Sequence, residues 1–345
     1  MQKELIIIGI ESSCDDTAVS IIKGRKVLSN IIFHQNIHKK YGGVVPELAS
    51  RLHEKKLPLA TKKAIFLSKI DQNQIDGVSV TFGPGLIGPL LVGSSFAKSF
   101  SMGLGVPLLS ANHIQSHIFT HFIENANINN NSYPKFPFLS LVISGGHTLI
   151  IEVNHFFHMK ILGSTLDDSV GNVFDQIARI LGIHYPGGPM IDFFSKYGNK
   201  NKFHFSKPLV NGLNFSFSGL KSQIRKFIEN NIKNDPFFIK KHIHDICASM
   251  QKIISEILLE KVYQAILQTN IFRVSLSGGV SANHEIQNTF LSFFKKKTKK
   301  WELFLPKIEY ATDNAAMIGI SGIFKYERKM FESLDTSPFS KLKKF

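Results

Sequence analysis

An α/β fold of two similar lobes, with a cleft between them, is predicted by three features of the chain. Apolar, β-branched runs alternate with segments of helical length and period. A strand, a small-residue turn and a returning strand occupy residues 5–22 and recur about 130 residues later at 138–153, with an echo at 274–279, the mark of a duplicated core. The 345 residues also exceed the length at which one hydrophobic core stops growing, and a hydrophobic content of 43% suffices for two.

Taken in order, residues 5–10 and 17–22 read as strands joined by the polar turn Glu11-Ser12-Ser13-Cys14-Asp15-Asp16. Residues 46–70 read as an amphipathic helix with Pro46 in its first turn, after the polar loop at 38–43. A strand at 77–81, the loop Phe82-Gly83-Pro84-Gly85-Leu86-Ile87-Gly88 and an uncharged helix at 89–103 follow, and a Gly/Pro loop before a helix N-terminus is a ready anion site. A strand at 106–109 leads to a helix carrying His113, His117 and His121. Residues 1–123 are assigned to an N-terminal lobe, 124–136, with an asparagine cluster and Pro134, to a linker, 137–325 to a C-terminal lobe, and 326–345 to a frayed basic tail. Within the second lobe a helix is expected at 166–181, irregular chain at 199–220, a long helix at 236–269, a strand at 272–276 and helices from Ser281 and Asn314. The Asn314 helix is expected to return to the first lobe.

Composition narrows the class. Only Cys14 and Cys247 are present, far apart, which excludes a disulfide framework and a thiolate metal cluster and fits a reducing compartment. The N-terminal apolar run is too short and its flank too acidic for a signal peptide, and residues 78–97, although uncharged, carry Pro84, Pro89 and four glycines. A cytoplasmic protein without a membrane span is expected. The formal charge of +15 invites a polyanion partner, although Lys and Asn enrichment throughout the chain equally reflects compositional bias.

His113 and His117 are four residues apart, so on a helix their imidazoles lie about 40° apart around the axis and can share one metal. A third ligand must come from elsewhere, and Asp313, where the polar turn Thr312-Asp313-Asn314 opens an apolar helix, is the candidate. Two imidazoles and a carboxylate leave coordination positions open and accept Zn, Fe or Mn. A zinc peptidase would place Glu after the first histidine, where this chain has Ile114. A kinase or ATPase would use Mg²⁺ and no histidine pair, and a basic nucleic-acid scaffold would leave the histidines and acids idle.

Six stretches in one order carry a family resemblance: Ile10–Thr17 (IESSCDDT), His38–Arg51 (HKKYGGVVPELASR), Asn112–His117, Ser144–Thr148 (SGGHT), Ser277–Asn283 (SGGVSAN) and Thr312–Asn314. The chain resembles the universal tRNA threonylcarbamoyladenosine synthesis family, and within it the bacterial branch, from about residue 5 to 325. The resemblance implies an actin-like, Hsp70-like ATPase fold and a metal-dependent acyltransferase. It would move a threonylcarbamoyl group from threonylcarbamoyl-AMP to the exocyclic amine of the adenosine 3′ of the anticodon in ANN-decoding tRNAs. It implies one divalent metal, Fe²⁺ before Zn²⁺, on His113, His117 and Asp313, and substrate contacts at Val142, Ile143, Ser144, Gly145, Gly146, Asp175, Gly188, Asp192 and Asn283. It also implies a paralogous partner subunit and a small ATPase. Asp15 and Glu11 are the acids nearest the chemistry by motif. In Gly171-Asn172-Val173-Phe174-Asp175-Gln176 the family more often has Glu and Lys at the positions of Asn172 and Gln176, which puts fine positioning there in question. His121 has no implied role and is read as structural.

Overall fold

Ile6 to Glu11 is a run of six buried residues, five of them apolar or glycine, and such a run suits a strand covered on both faces. The computed structural model describes residues 4–124 and 133–342, in two compact units: Met1–Tyr133 with Lys307–Phe345, and Pro134–Pro306. The first unit contains β1 (Ile6–Glu11), β2 (Asp16–Lys23), β3 (Lys26–His34), α1 (Pro46–Ser68), β4 (Gly77–Gly83), α2 (Ile87–Leu104), β5 (Leu108–Asn112) and α3 (His113–Phe119). Its sheet runs β3-β2-β1-β4-β5, with β2 antiparallel to β1 and β3, and β4 parallel to β1 and β5.

The second unit contains β6 (Phe138–Ile143), β7 (Thr148–His155), β8 (His158–Ser164), α4 (Val170–Ile180), α5 (Gly187–Ser195), α6 (Ser218–Asn234), α7 (Phe238–Thr269), β9 (Arg273–Ser277), α8 (His284–Lys295) and β10 (Glu302–Phe304). Its sheet order is β10-β9-β6-β7-β8. Outward from the first strand of each unit lie two antiparallel neighbours on one side and two parallel neighbours on the other. Identical order and sense in two sheets is a duplicated core. The echo at 274–279 is the parallel strand β9, and Gly278, at φ 87°, turns the chain into a short 3-10 turn and α8 instead of back along the sheet.

The chain returns to the first unit at Lys307, with α9 (Ile308–Ala311) and α10 (Ala315–Glu327). Side chains alternate along β1, so Ile8 and Ile10 join Leu57, Ala60 and Ala97 of α1 and α2, while Gly9 faces α10. The fit there is backbone on backbone: a Cβ at Gly9 would lie 2.4 Å from Ala315 O and 2.5 Å from Gly319 N, and one at Gly322 would lie 2.8 Å from Ile7 Cγ2. The outward face of the α1–α2 pair leaves Leu59, Phe66, Leu91 and Met102 exposed. Among the described residues no helix is long and apolar enough to cross a membrane.

Three expectations need correction. The stretch after α10 is not a frayed tail. Glu332 N donates to Leu108 O at 2.8 Å, Phe339 N to Phe82 O at 2.8 Å and Lys98 Nζ to Thr336 O at 2.7 Å, because Phe339 packs against the first core and holds this strap on it. Most of the expected linker, residues 125–132, lies outside the described residues. The irregular stretch ends earlier than expected, in α6, whose start lacks a cap in its own sequence. Asp167, about 50 residues upstream, accepts from Phe217 N at 2.8 Å, Ser218 N at 3.3 Å and the Ser216 and Ser218 hydroxyls.

Two outcomes follow from this packing. Gly9→Ala should destabilise the protein by about 1–3 kcal/mol, as overpacking does, read as a lowered denaturant midpoint. For Asp167, burial opposes the charge, but the Ser216, Phe217 and Ser218 hydrogen bonds outweigh it and hold the carboxyl down at about 2. A lowered folded pKa stabilises above the unfolded value near 4 and is lost as pH falls through the folded one. The Tm difference between wild type and Asp167→Asn should therefore be full at pH 7, shrink below about pH 4 and vanish near pH 2.

Candidate active site

β5 delivers the chain to α3, and Asn112 starts that helix by accepting from Ile114 N at 3.0 Å and Gln115 N at 3.1 Å through its side chain. All seven residues of α3 are buried. His113 and His117 sit one turn apart with ring centroids 4.7 Å from each other. The tight seat of α10 on β1 brings the Thr312-Asp313-Asn314 turn to them, with Asn314 capping α10 through Met317 N at 3.0 Å. Asp313 Oδ1 then lies 3.2 Å from His117 Nε2 and 3.6 Å from His113 Nε2. One donor atom from each of the three residues falls within 4.8 Å of the others. His121, in the following 3-10 turn, is not one of them.

Glu11 closes the back of this cluster. Its Oε1 accepts from Ser13 N at 2.5 Å, and its Oε2 accepts from Thr81 Oγ1 at 2.7 Å and lies 3.2 Å from His113 Nδ1. Ser13 Oγ is also 3.2 Å from His113 Nδ1. Burial works against the Glu11 charge, but the His113 ring holds the carboxyl below its ordinary value. Burial likewise opposes charge on His113, and Asp313 and Glu11 overcome it, pushing the imidazole up to about 9. A carboxylate on Nδ1 fixes the ring with Nε2 toward Asp313, the arrangement that orients metal-bound histidines.

His117 supplies the test of fit. Both its ring nitrogens are buried and neither has a hydrogen-bond partner among the described residues, a costly state for an imidazole. A divalent cation among His113 Nε2, His117 and Asp313 would relieve it, and the N₂O donor set suits one. Asp313 is the partly exposed member, its side chain 27% accessible against 0% for His117, so the cluster opens to solvent on that side. Asp15 and Asp16 lie in the β1–β2 turn next to Cys14, and α1 pins that turn: His53 Nε2 is 3.0 Å from Cys14 O and His53 Nδ1 2.8 Å from Thr17 Oγ1.

In the second unit the remaining candidates gather at the carboxyl ends of β6 and β9. Val142 and Ile143 end β6 and are buried, whereas Gly145 and Gly146 are surrounded by open space. Ser144 Oγ accepts from His147 N at 3.1 Å, and Ser169, the N-cap of α4, donates its hydroxyl to Gly145 O. The first turn of α4 is pressed on this loop, since a Cβ at Gly171 would lie 2.6 Å from Ser144 O. Asp175 Oδ1 accepts from Gly187 N at 2.7 Å and so fixes the start of α5, where Gly188 stands. Asp192, one turn on, accepts from His284 N at 3.2 Å and pairs with His284 Nδ1 at 2.6 Å. Asn283 caps α8 through Ile286 N at 3.1 Å and donates to Gln251. Small residues, helix N-termini and convergent amides in one place are suited to a phosphate-bearing ligand.

A family model described as TsaD, tRNA N6-adenosine threonylcarbamoyltransferase, matches residues 26–320. The chain is 48% identical over 99% of both chains to the tRNA N6-adenosine threonylcarbamoyltransferase of Christiangramia forsetii, and 48% identical over 97% of both to that of Riemerella anatipestifer. The chain belongs to this family. Among solved structures, T. kodakarensis HypF aligns over 94% of this chain and 48% of its own length with a TM-score of 0.62 at 15% identity, a likeness of fold alone. The fold is of the actin-like ATPase class.

Where this chain departs from the commoner family residues, neutral groups form a ladder on α4. Gln176 Nε2 donates to Asn172 Oδ1 at 2.9 Å, and Asn172 Nδ2 donates to Asp168 Oδ1 at 2.7 Å. Asp168 in turn pairs with Lys221 of α6 at 2.5 Å. Sequence reasoning missed Ser13, Thr81, His284 and Gln251. Ser13 lies inside a quoted motif, but the others reach the site only through strand and helix pairing.

Glu11→Gln should lower the affinity for Zn²⁺ or Fe²⁺ by about 10–100-fold, as loss of a ligand's carboxylate partner does, and His117→Ala should lower it further. Competition with a chromophoric chelator checks both.

Proposed function

We propose that the protein transfers the threonylcarbamoyl group of threonylcarbamoyl-AMP to the exocyclic amine of the adenosine 3′ of the anticodon in ANN-decoding tRNAs. The observation that carries this reading is the buried His117, unpartnered at both nitrogens and 3.2 Å from Asp313, in a chain alike over nearly its whole length to transferases of that name. His113, His117 and Asp313 would hold one divalent ion, Fe²⁺ in preference and Zn²⁺ as the other candidate, which supplies Lewis-acid polarisation of an acyl oxygen.

The chain's own residues divide the remaining tasks. Glu11, with both oxygens engaged in the interior, is assigned to orient His113 and not to meet substrate. The open Ser144-Gly145-Gly146 turn and the first turn of α5 at Gly188 are assigned to grip the nucleotide phosphate and donor through backbone N–H groups, with Asp175, Asp192 and Asn283 bracing them. The amine attacks the carbamoyl carbon, the carbon–oxygen bond to the phosphate breaks, and AMP leaves. Asp15, half-buried in the β1–β2 turn, is assigned to take the amine's proton. The exposed apolar face of α1 and α2 supports docking of a paralogous partner subunit, with a small ATPase as a further partner. A net charge of +15 supports the tRNA substrate, and a cytoplasmic location accords with it.

Purified protein with synthetic threonylcarbamoyl-AMP and an unmodified ANN-decoding tRNA, with and without the partners, should yield threonylcarbamoyladenosine. His113→Ala should yield none, and Asp15→Asn should transfer far more slowly from preformed threonylcarbamoyl-AMP. Product at the full rate from Asp15→Asn would remove its assigned role, and no product from wild type under any partner condition would remove the reading.

A further inference from the structure

A surface helix of a folded domain normally turns its apolar residues inward. α5 keeps that rule on one side only. Ile191 is fully buried, and Gly188 and Asp192 share the inner arc. On the outer arc stand Met190 and Phe193, and Tyr197 in the turn that closes the helix, at spacings of three and seven residues, with exposures of 40%, 49% and 70%. The rings form a connected surface: Phe193 and Tyr197 meet edge to face at 5.9 Å, and Tyr197 meets His244 of α7 at 5.8 Å. Lys196 is exposed between Phe193 and Tyr197. The acids nearby are engaged, Asp192 with His284 at 2.6 Å and Glu285 with Lys200 at 2.8 Å.

We propose that the outer face of α5, Phe193 and Tyr197 with Lys196 between them, is a stacking platform for an unpaired base of the tRNA anticodon loop beside the adenosine that is modified. Exposed aromatic rings interleaved with cations are the chemistry that holds single-stranded RNA, because every base offers a π-face and every linkage a phosphate. A duplex stem would use the lysine and leave the rings idle, whereas a loop whose target base is drawn out has neighbours to stack. The placement rests on the reading of Gly188 and Asp192 as substrate contacts, since those residues put the platform one helix width from the reacting group.

The experiment uses the full-length, metal-loaded protein and a synthetic anticodon stem-loop carrying 2-aminopurine next to the target adenosine. Wild type should quench the fluorophore on binding. Phe193→Ala/Tyr197→Ala should lose the quench and weaken binding about tenfold or more, the effect of removing one stacked base. Phe193→Tyr/Tyr197→Phe, which keeps both rings, should bind and quench as wild type. Unchanged affinity and quench in the alanine variant, or equal losses in the ring-keeping variant, would overturn the platform. So would an alanine variant that binds RNA normally but no longer associates with a second copy or a partner subunit, because the face would then belong to a protein. If wild type quenches yet makes no threonylcarbamoyladenosine in the full assay, the reading beneath the proposal fails, and the platform fails with it.

Discussion

The close seat of α10 on β1 sets the geometry of the metal cluster. His113 and His117 are placed by α3, which is continuous with β5, and Asp313 arrives from about 200 residues later along the chain. Nothing local relates them. The relation comes from Gly9 and Gly319, where side chains are absent and the helix backbone rests directly on the strand. A close-packed interface with no room for a methyl group has few ways to slide, so the turn before α10 holds a definite distance from the histidine rings. That precision lets a three-donor site exist without a fourth protein ligand to complete it.

Carboxylates serve as braces throughout both units. Glu11 locks His113, Asp167 starts α6, Asp175 starts α5 and Asp192 ties α5 to α8. Each accepts backbone N–H, hydroxyl or imidazole donors, so the charge is spread over several hydrogen bonds. Such bonds act over tens of residues of sequence, and they fix the ends of helices whose first turns face the candidate ligand positions. In a chain of net charge +15, the few acids are concentrated where orientation matters.

This explains what the sequence disclosed and what it hid. The paired hairpins at β1–β2 and β6–β7 were legible because β-branched runs and small-residue turns are local signals, and α7 because its period is sustained over 32 residues. The histidine pair was legible through its spacing, while Asp313 needed the polar turn opening an apolar helix. α6 was not legible, because the residue that caps it is Asp167 and not a neighbour. The strap at 332–340 was hidden by its lysines and prolines, since the residue that anchors it, Phe339, is a single aromatic in a polar stretch. The Glu11–His113 contact was hidden too. The sequence placed Glu11 near the chemistry, but only the pairing of β1 with β4 shows both its oxygens turned into the core.

The glycines separate the two kinds of site. At Gly9, Gly171, Gly187 and Gly319 an added methyl would meet backbone or core atoms within 3 Å, so these glycines permit contact and transmit position. At Gly145 and Gly146 an added methyl would meet nothing within 4 Å. A glycine in open space contributes no packing and carries an entropic cost on folding. What it leaves uncovered is the backbone N–H, and exposed N–H groups beside a helix N-terminus are useful only to a ligand that brings oxygen atoms. The contrast assigns the open turn to ligand and the crowded glycines to architecture, and both readings follow from the same missing side chain.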